Sequence, residues 1–112
     1  SWGIETPNTY SAEDIEKILT ALDSGEYGAI LRAKGMVPAP DGTWVYYDYV
    51  PEEHDIRSGK PEVTGKICVI GSKLAEDKLA ELFGFYRQQD KKEKGMNYDE
   101  TSLYHKWFSG ER

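Results

Sequence analysis

The sequence predicts an α+β fold, a mainly antiparallel sheet of four to five strands with two helices on one face, in the order β-α-β-β-β-β-α. Two segments repeat apolar residues at the i, i+3, i+4, i+7 spacing of an amphipathic helix. The segments between them alternate with the period of two that is typical of strands. A chain of 112 residues is long enough for one domain with one core.

Trp2 and Ile4 alternate with small or polar residues and predict a short first strand. The first helix is expected to begin at Ser11, because Asp14 lies three residues later and completes a capping box. Asp23 and the following Ser-Gly provide its end. The apolar stripe of this helix consists of Ile15, Ile18, Leu19 and Leu22.

Residues 29–37 and 43–50 alternate around a Pro/Gly-containing turn and predict a β-hairpin. One face of its first strand would carry Leu31, Ala33, Gly35 and Val37, and the other Ile30, Arg32, Lys34 and Met36. A symmetric turn would place Arg32 opposite Asp48, Lys34 opposite Tyr46 and Met36 opposite Trp44. We expect the helices to cover the face that contains Tyr47 and Tyr49, which leaves Trp44 and Tyr46 outside.

A short extended piece surrounds Ile56, and the apolar run 67–70 predicts a central strand covered on both faces. Cys68 within this run is interpreted as a small buried hydrophobe. The second helix is predicted from Leu79, Leu82, Phe83 and Tyr86. Residues 1–86 would form the domain, and residues 87–112 a polar linker with an aromatic C-terminal segment that is either docked or disordered.

Composition excludes several classes of function. Twenty acidic against fourteen basic residues give a net charge of −6, which argues against binding to nucleic acid or to an anionic membrane. A lone cysteine, with no secretory signal and no spanning apolar run, indicates a cytoplasmic protein. Because the chain starts at Ser1 without an initiator Met, we expect it to be a piece of a longer protein.

No catalytic constellation or phosphate-binding loop is found in the sequence, so the chain itself is not expected to be an enzyme. Large side chains on the hairpin face away from the helices predict a partner-binding surface. Its candidate residues are Ile30, Arg32, Lys34, Met36, Trp44 and Tyr46. The plainer alternative is that Arg32 pairs with Asp48 and Lys34 lies over Tyr46.

Two other functions stay open at this point. Glu53, His54 and Asp55, with His105, would form a weak metal-binding module if their side chains converged; otherwise they are a solvated acidic turn. The aromatic strand would line a pocket if the chain were an independent binder of small ligands.

Over residues 1–86 the sequence resembles the C-terminal domain of CobW-like proteins. The resemblance is carried by the block from Gly28 to Val37, by Trp44, by the segment from Gly65 to Gly71 and by Leu74. The resemblance implies that the parent is a P-loop GTPase that uses GTP and delivers a divalent metal such as zinc or cobalt. It implies a non-catalytic docking or regulatory domain that contacts the N-terminal GTPase domain, a metalloprotein client or a second copy. The family's phosphate-binding loop and Cys-x-Cys-Cys motif, and the His-rich stretch that many members have, are missing here.

Overall fold

The structure, a computed structural model, describes residues 1–84 and Phe108. Its elements follow the predicted order: β1 (Trp2–Thr6), α1 (Ala12–Leu22), β2 (Ala29–Pro38), β3 (Trp44–Val50), β4 (Glu53–Ser58), β5 (Gly65–Ser72) and α2 (Glu76–Leu82). The five strands lie in the order β1-β5-β2-β3-β4, and each neighbouring pair is antiparallel. The predicted α+β fold class is therefore confirmed. Neither described helix is long and apolar enough to span a membrane.

Both helices pack on one face of the sheet. At the start of α1, the Ser11 hydroxyl accepts a hydrogen bond from the Asp14 N–H and the Asp14 carboxylate accepts one from the Ser11 N–H, both at 3.0 Å, as the capping box predicts. Helix α2 has no side-chain cap at Ala75. The main core contains the predicted α1 stripe, Leu79 and Phe83 from the α2 region, and Ala33, Val37, Val45, Tyr47, Tyr49, Ile67 and Val69 from the sheet. Tyr86, predicted to extend the second helix, lies outside the described residues.

The predicted hairpin register is wrong by two residues. Lys34 lies opposite Asp48, Met36 opposite Tyr46, and Pro38 opposite Trp44. The reason is a tighter loop than the symmetric one expected: the Ala39 N–H donates to the Thr43 carbonyl at 2.8 Å, so β2 continues to Pro38. A shift of two preserves the face on which each side chain lies.

The predicted alternation is also wrong at the start of β2. The pairing of β2 with β5 shifts between Ile30 and Arg32, which makes Leu31 the extra residue of a β-bulge. Ile30 is therefore 6% exposed in the main core, whereas Leu31 is 64% exposed. Ile30 therefore does not lie on the outer face, where the sequence predicts it as a partner-binding residue.

Tyr47 fills the centre of the sheet because its neighbour on β2 has no side chain. A Cβ atom at Gly35 would lie only 2.3 Å from the Tyr47 ring, so only glycine fits there. The Tyr47 hydroxyl is buried and has no hydrogen-bond partner among the described residues. Its aromatic body thus contributes packing, while its hydroxyl contributes none of the polar contacts seen at Tyr49 two residues later.

Candidate functional site

The outer face of the sheet, opposite the helices, carries a second and smaller apolar cluster. Met36, Cys68 and Phe108 are buried there, with Tyr46 and Ile70 packed against them. Cys68 is 0% exposed, as expected for a buried hydrophobe in a central strand covered on both sides. Of the aromatic C-terminal segment, Phe108 alone lies within the described residues, and it covers part of this face.

An ion cluster centred on Asp48 lies beside the apolar cluster. The buried Lys34 ammonium donates to both Asp48 oxygens, at 2.9 and 3.0 Å. Arg57 approaches Asp48 at 3.1 Å and Asp55 at 2.7 Å, and Arg32 approaches Asp48 at 3.5 Å. Among the described residues, three cations therefore lie around the Asp48 carboxylate, and one of them, Arg57, also contacts Asp55.

The two candidate aromatic residues occupy the end of the face near the β2–β3 loop. Tyr46 donates from its hydroxyl to the Lys60 carbonyl at 2.7 Å, and the Arg57 guanidinium lies 5.9 Å from the centre of its ring. Trp44 is half-buried and lines an open cleft of about 470 Å³ together with Ile56 and Arg57. Both rings keep exposed surface next to cationic groups, a combination enriched at protein interfaces.

Five of the six predicted partner-binding residues thus share the outer face, and Ile30 is the exception. The pairing of Arg32 with Asp48 is present, although the closest cation to Asp48 is Lys34, and Lys34 faces the Phe108 ring at 5.7 Å. Sequence reasoning missed Arg57 in the cluster. The two-residue alternation of β4 places Arg57 on this face, but the sequence predicts only a short extended piece around Ile56 and not the full strand.

The residues of the predicted metal module do not converge. His54 points toward α1. Its Nδ1 lies 3.1 Å from Glu16 Oε2, and its Nε2 lies 3.0 Å from Asp23 Oδ2. Its sequence neighbours Glu53 and Asp55 alternate to the opposite face of β4. Within residues 1–84 and Phe108, no group of three or more potential ligands is placed to hold a metal ion. His105 lies outside the described residues.

A polar clasp instead joins β3 and β4 to the end of α1; it consists of Asp23, Tyr49, His54 and the backbone of Glu52. The Tyr49 hydroxyl donates to Asp23 Oδ1 at 2.6 Å, and the Glu52 N–H donates to the same oxygen at 2.9 Å. These two hydrogen bonds lower the pKa of Asp23, and the bond from Tyr49 has the larger effect. The pKa of Tyr49 is raised, mainly by burial and to a smaller extent by the hydrogen bond to Asp23. These shifts come from contacts that hold the fold together, away from the outer face.

An antiparallel five-stranded sheet with two helices on one face and a mixed aromatic and cationic surface on the other defines a small α+β domain. Its fold is shared with part of the YjiA GTPase. The zinc-bound E. coli YjiA structure matches with a TM-score of 0.58 and 18% identity over 73% of this chain and 27% of that chain. A zinc-bound triple mutant of YjiA matches with a TM-score of 0.60 and 16% identity over the same shares.

At sequence identities of 16% and 18% the similarity shows a shared fold only. The chain spans about a quarter of the length of YjiA. No family model matches the sequence. No curated protein matches it either.

Proposed function

We propose that this chain is the C-terminal domain of a CobW-like GTPase that delivers a metal such as zinc or cobalt, and that the domain serves docking or regulation and performs no catalysis. Support for the proposal comes from the sequence resemblance and from the fold shared with part of YjiA, a CobW-family GTPase. GTP and the metal would be bound by the parent protein, since the phosphate-binding loop and the cysteine motif are absent from this sequence.

The observation that carries the docking role is the composition of the outer face. A sheet face turned to water normally carries small polar residues. Here it carries Trp44, Tyr46, Arg32 and Arg57, with Arg57 lying 5.9 Å from the Tyr46 ring. Tryptophan, tyrosine and arginine dominate the binding energy of interfaces. Arg32 keeps 51% of its side chain exposed while lying 3.5 Å from Asp48, so it is positioned and still reachable. We propose the N-terminal GTPase domain of the same parent as the partner.

The first test is the open reading frame that encodes the chain. We expect it to contain, upstream of Ser1, a Gly-x-x-x-x-Gly-Lys-Ser/Thr loop and a Cys-x-Cys-Cys motif. A frame without them would contradict the assignment to a CobW-like parent.

The second test is binding of the ¹⁵N-labelled chain to that upstream segment, produced separately. We expect amide shifts along β2 and β3 on the outer face, and weaker binding by at least ten-fold after Arg32→Glu. Lys17→Glu is the matched control, because it reverses one positive charge on the exposed side of α1, away from the outer face of the sheet. Shifts confined to the helices, or equal losses from both variants, would refute docking through the outer face. Shifts produced by a second copy alone would make the domain an oligomerisation module.

A further inference from the structure

His54 joins the edge strand β4 to helix α1 through both of its ring nitrogens. Nδ1 lies 3.1 Å from Glu16 Oε2, and Nε2 lies 3.0 Å from Asp23 Oδ2. These two contacts are called the His54 bridge. Among the described strands, β4 pairs with β3 alone, so the bridge adds a connection from the edge of the sheet to the helix layer. The His54 side chain is 13% exposed, which leaves water little access to the ring.

Both oxygens of the bridge are hydrogen-bond acceptors. Oδ1 of Asp23 accepts from the Tyr49 hydroxyl and the Glu52 N–H. These bonds lower the pKa of Asp23, so the carboxylate is ionised at neutral pH and its Oδ2 accepts as well. Oε2 of Glu16 accepts from the Thr20 hydroxyl at 3.4 Å. A neutral imidazole donates from one nitrogen and presents a lone pair at the other. Two donated bonds therefore require the charged ring.

The charges around the ring favour the same form. Among the described residues, His54 is the one basic side chain at salt-bridge distance from Glu16 or Asp23. Asp23 is the C-cap of α1, and the last turn of this helix contains no basic residue. The C-terminal end of a helix carries partial negative charge and is stabilised by a cation. On β3 the ring faces Tyr49, which stays neutral because burial raises its pKa.

We propose that the His54 bridge is a proton-dependent connection between β4 and α1. While the ring is charged, it donates to both carboxylates. When the ring loses one proton, a lone pair faces a carboxylate, that contact becomes repulsive, and β4 is held less firmly. The bridge therefore weakens as the pH rises through the range in which histidine titrates, about pH 6–7. In acid it persists until the carboxylates take up protons, below about pH 4. The proposal does not depend on the docking function or on any partner.

The charge on the ring is measured by long-range ¹H–¹⁵N spectra of the full chain, which distinguish a doubly protonated imidazole from a neutral one. The chain has two histidines, and His54→Gln identifies the signals of His54. At about pH 7 we expect a larger charged fraction of His54 in the folded chain than in urea. Glu16→Gln should lower this fraction, whereas the same change at exposed Glu81 of α2 should not. Equal charged fractions in the folded and unfolded chains would overturn the proposal.

The hold on β4 is measured by hydrogen exchange of its amides, relative to the intrinsic rate at each pH. From about pH 6 to about pH 8 we expect protection of β4 to fall about three-fold or more, and protection in His54→Gln to stay constant. The amides of β5, which has a strand on each side, report global opening. No fall in β4, or a fall of the same size in β5, would contradict a local connection. The wild type alone gives this result, so it stands even if a variant does not fold.

Discussion

Tyr49→Phe tests whether the clasp at the end of α1 stabilises the domain. The substitution removes one hydroxyl, which donates to the Asp23 carboxylate at 2.6 Å from a side chain that is 2% exposed. A hydrogen bond to a charged group contributes about 1.5–3 kcal/mol. Asp23 keeps 25% of its side chain exposed, and water replaces part of the lost bond, so the expected loss lies at or slightly below the lower end of this range, about 1–2 kcal/mol.

Tyr47→Phe is the matched control, because it makes the same chemical change two residues earlier on the same face of β3. The Tyr47 hydroxyl is buried and has no partner among the described residues. Its removal eliminates a desolvated polar group without breaking a bond. We therefore expect unchanged stability or a gain of up to about 1 kcal/mol.

Urea denaturation of the three proteins measures both effects, and its pH dependence identifies the acceptor. The folded state lowers the pKa of Asp23, so the clasp contributes fully above about pH 4, the pKa of an unfolded Asp, and the contribution is lost as the pH falls through the folded value. The penalty of Tyr49→Phe should therefore shrink in acid, followed as far down as the wild type stays folded. Equal losses from both tyrosine variants, or a penalty that is constant with pH, would refute the reasoning.

Two further pairs of variants test other parts of the structure in the same assay. Asp48→Asn removes the carboxylate from the buried Lys34 ammonium and should lower the free energy of unfolding by about 3 kcal/mol. Lys34→Met replaces the cation by an apolar chain of similar length and should lower it by less than about 1 kcal/mol. Equal losses from the two variants would contradict this expectation. Ile30→Ala should lower the free energy of unfolding by about 2–4 kcal/mol and Leu31→Ala by less than about 0.5 kcal/mol, because the bulge buries Ile30 and exposes Leu31. A larger loss from Leu31→Ala than from Ile30→Ala would contradict the bulge.

Much of the candidate site could be inferred from alternation alone. Lys34, Met36, Trp44 and Tyr46 lie on the face predicted for them, since a period of two survives any even shift of register. Ile30 could not be placed correctly, because a bulge depends on how β2 meets β5, a strand more than thirty residues away in sequence. The closeness of Phe108 to Cys68 is likewise a long-range contact with no local signal.

The sequence by itself determined the class of fold, the order of its elements, the capping box of α1 and the division of the hairpin into a helix-covered and an outer face. These follow from local propensities and from periodicity, which act over a few residues. Only the tertiary structure decided the partners: Lys34 with Asp48, His54 with Glu16 and Asp23, and Phe108 on the outer face. Such contacts join residues far apart in the chain, and their geometry is set by how the loops close and how the strands align.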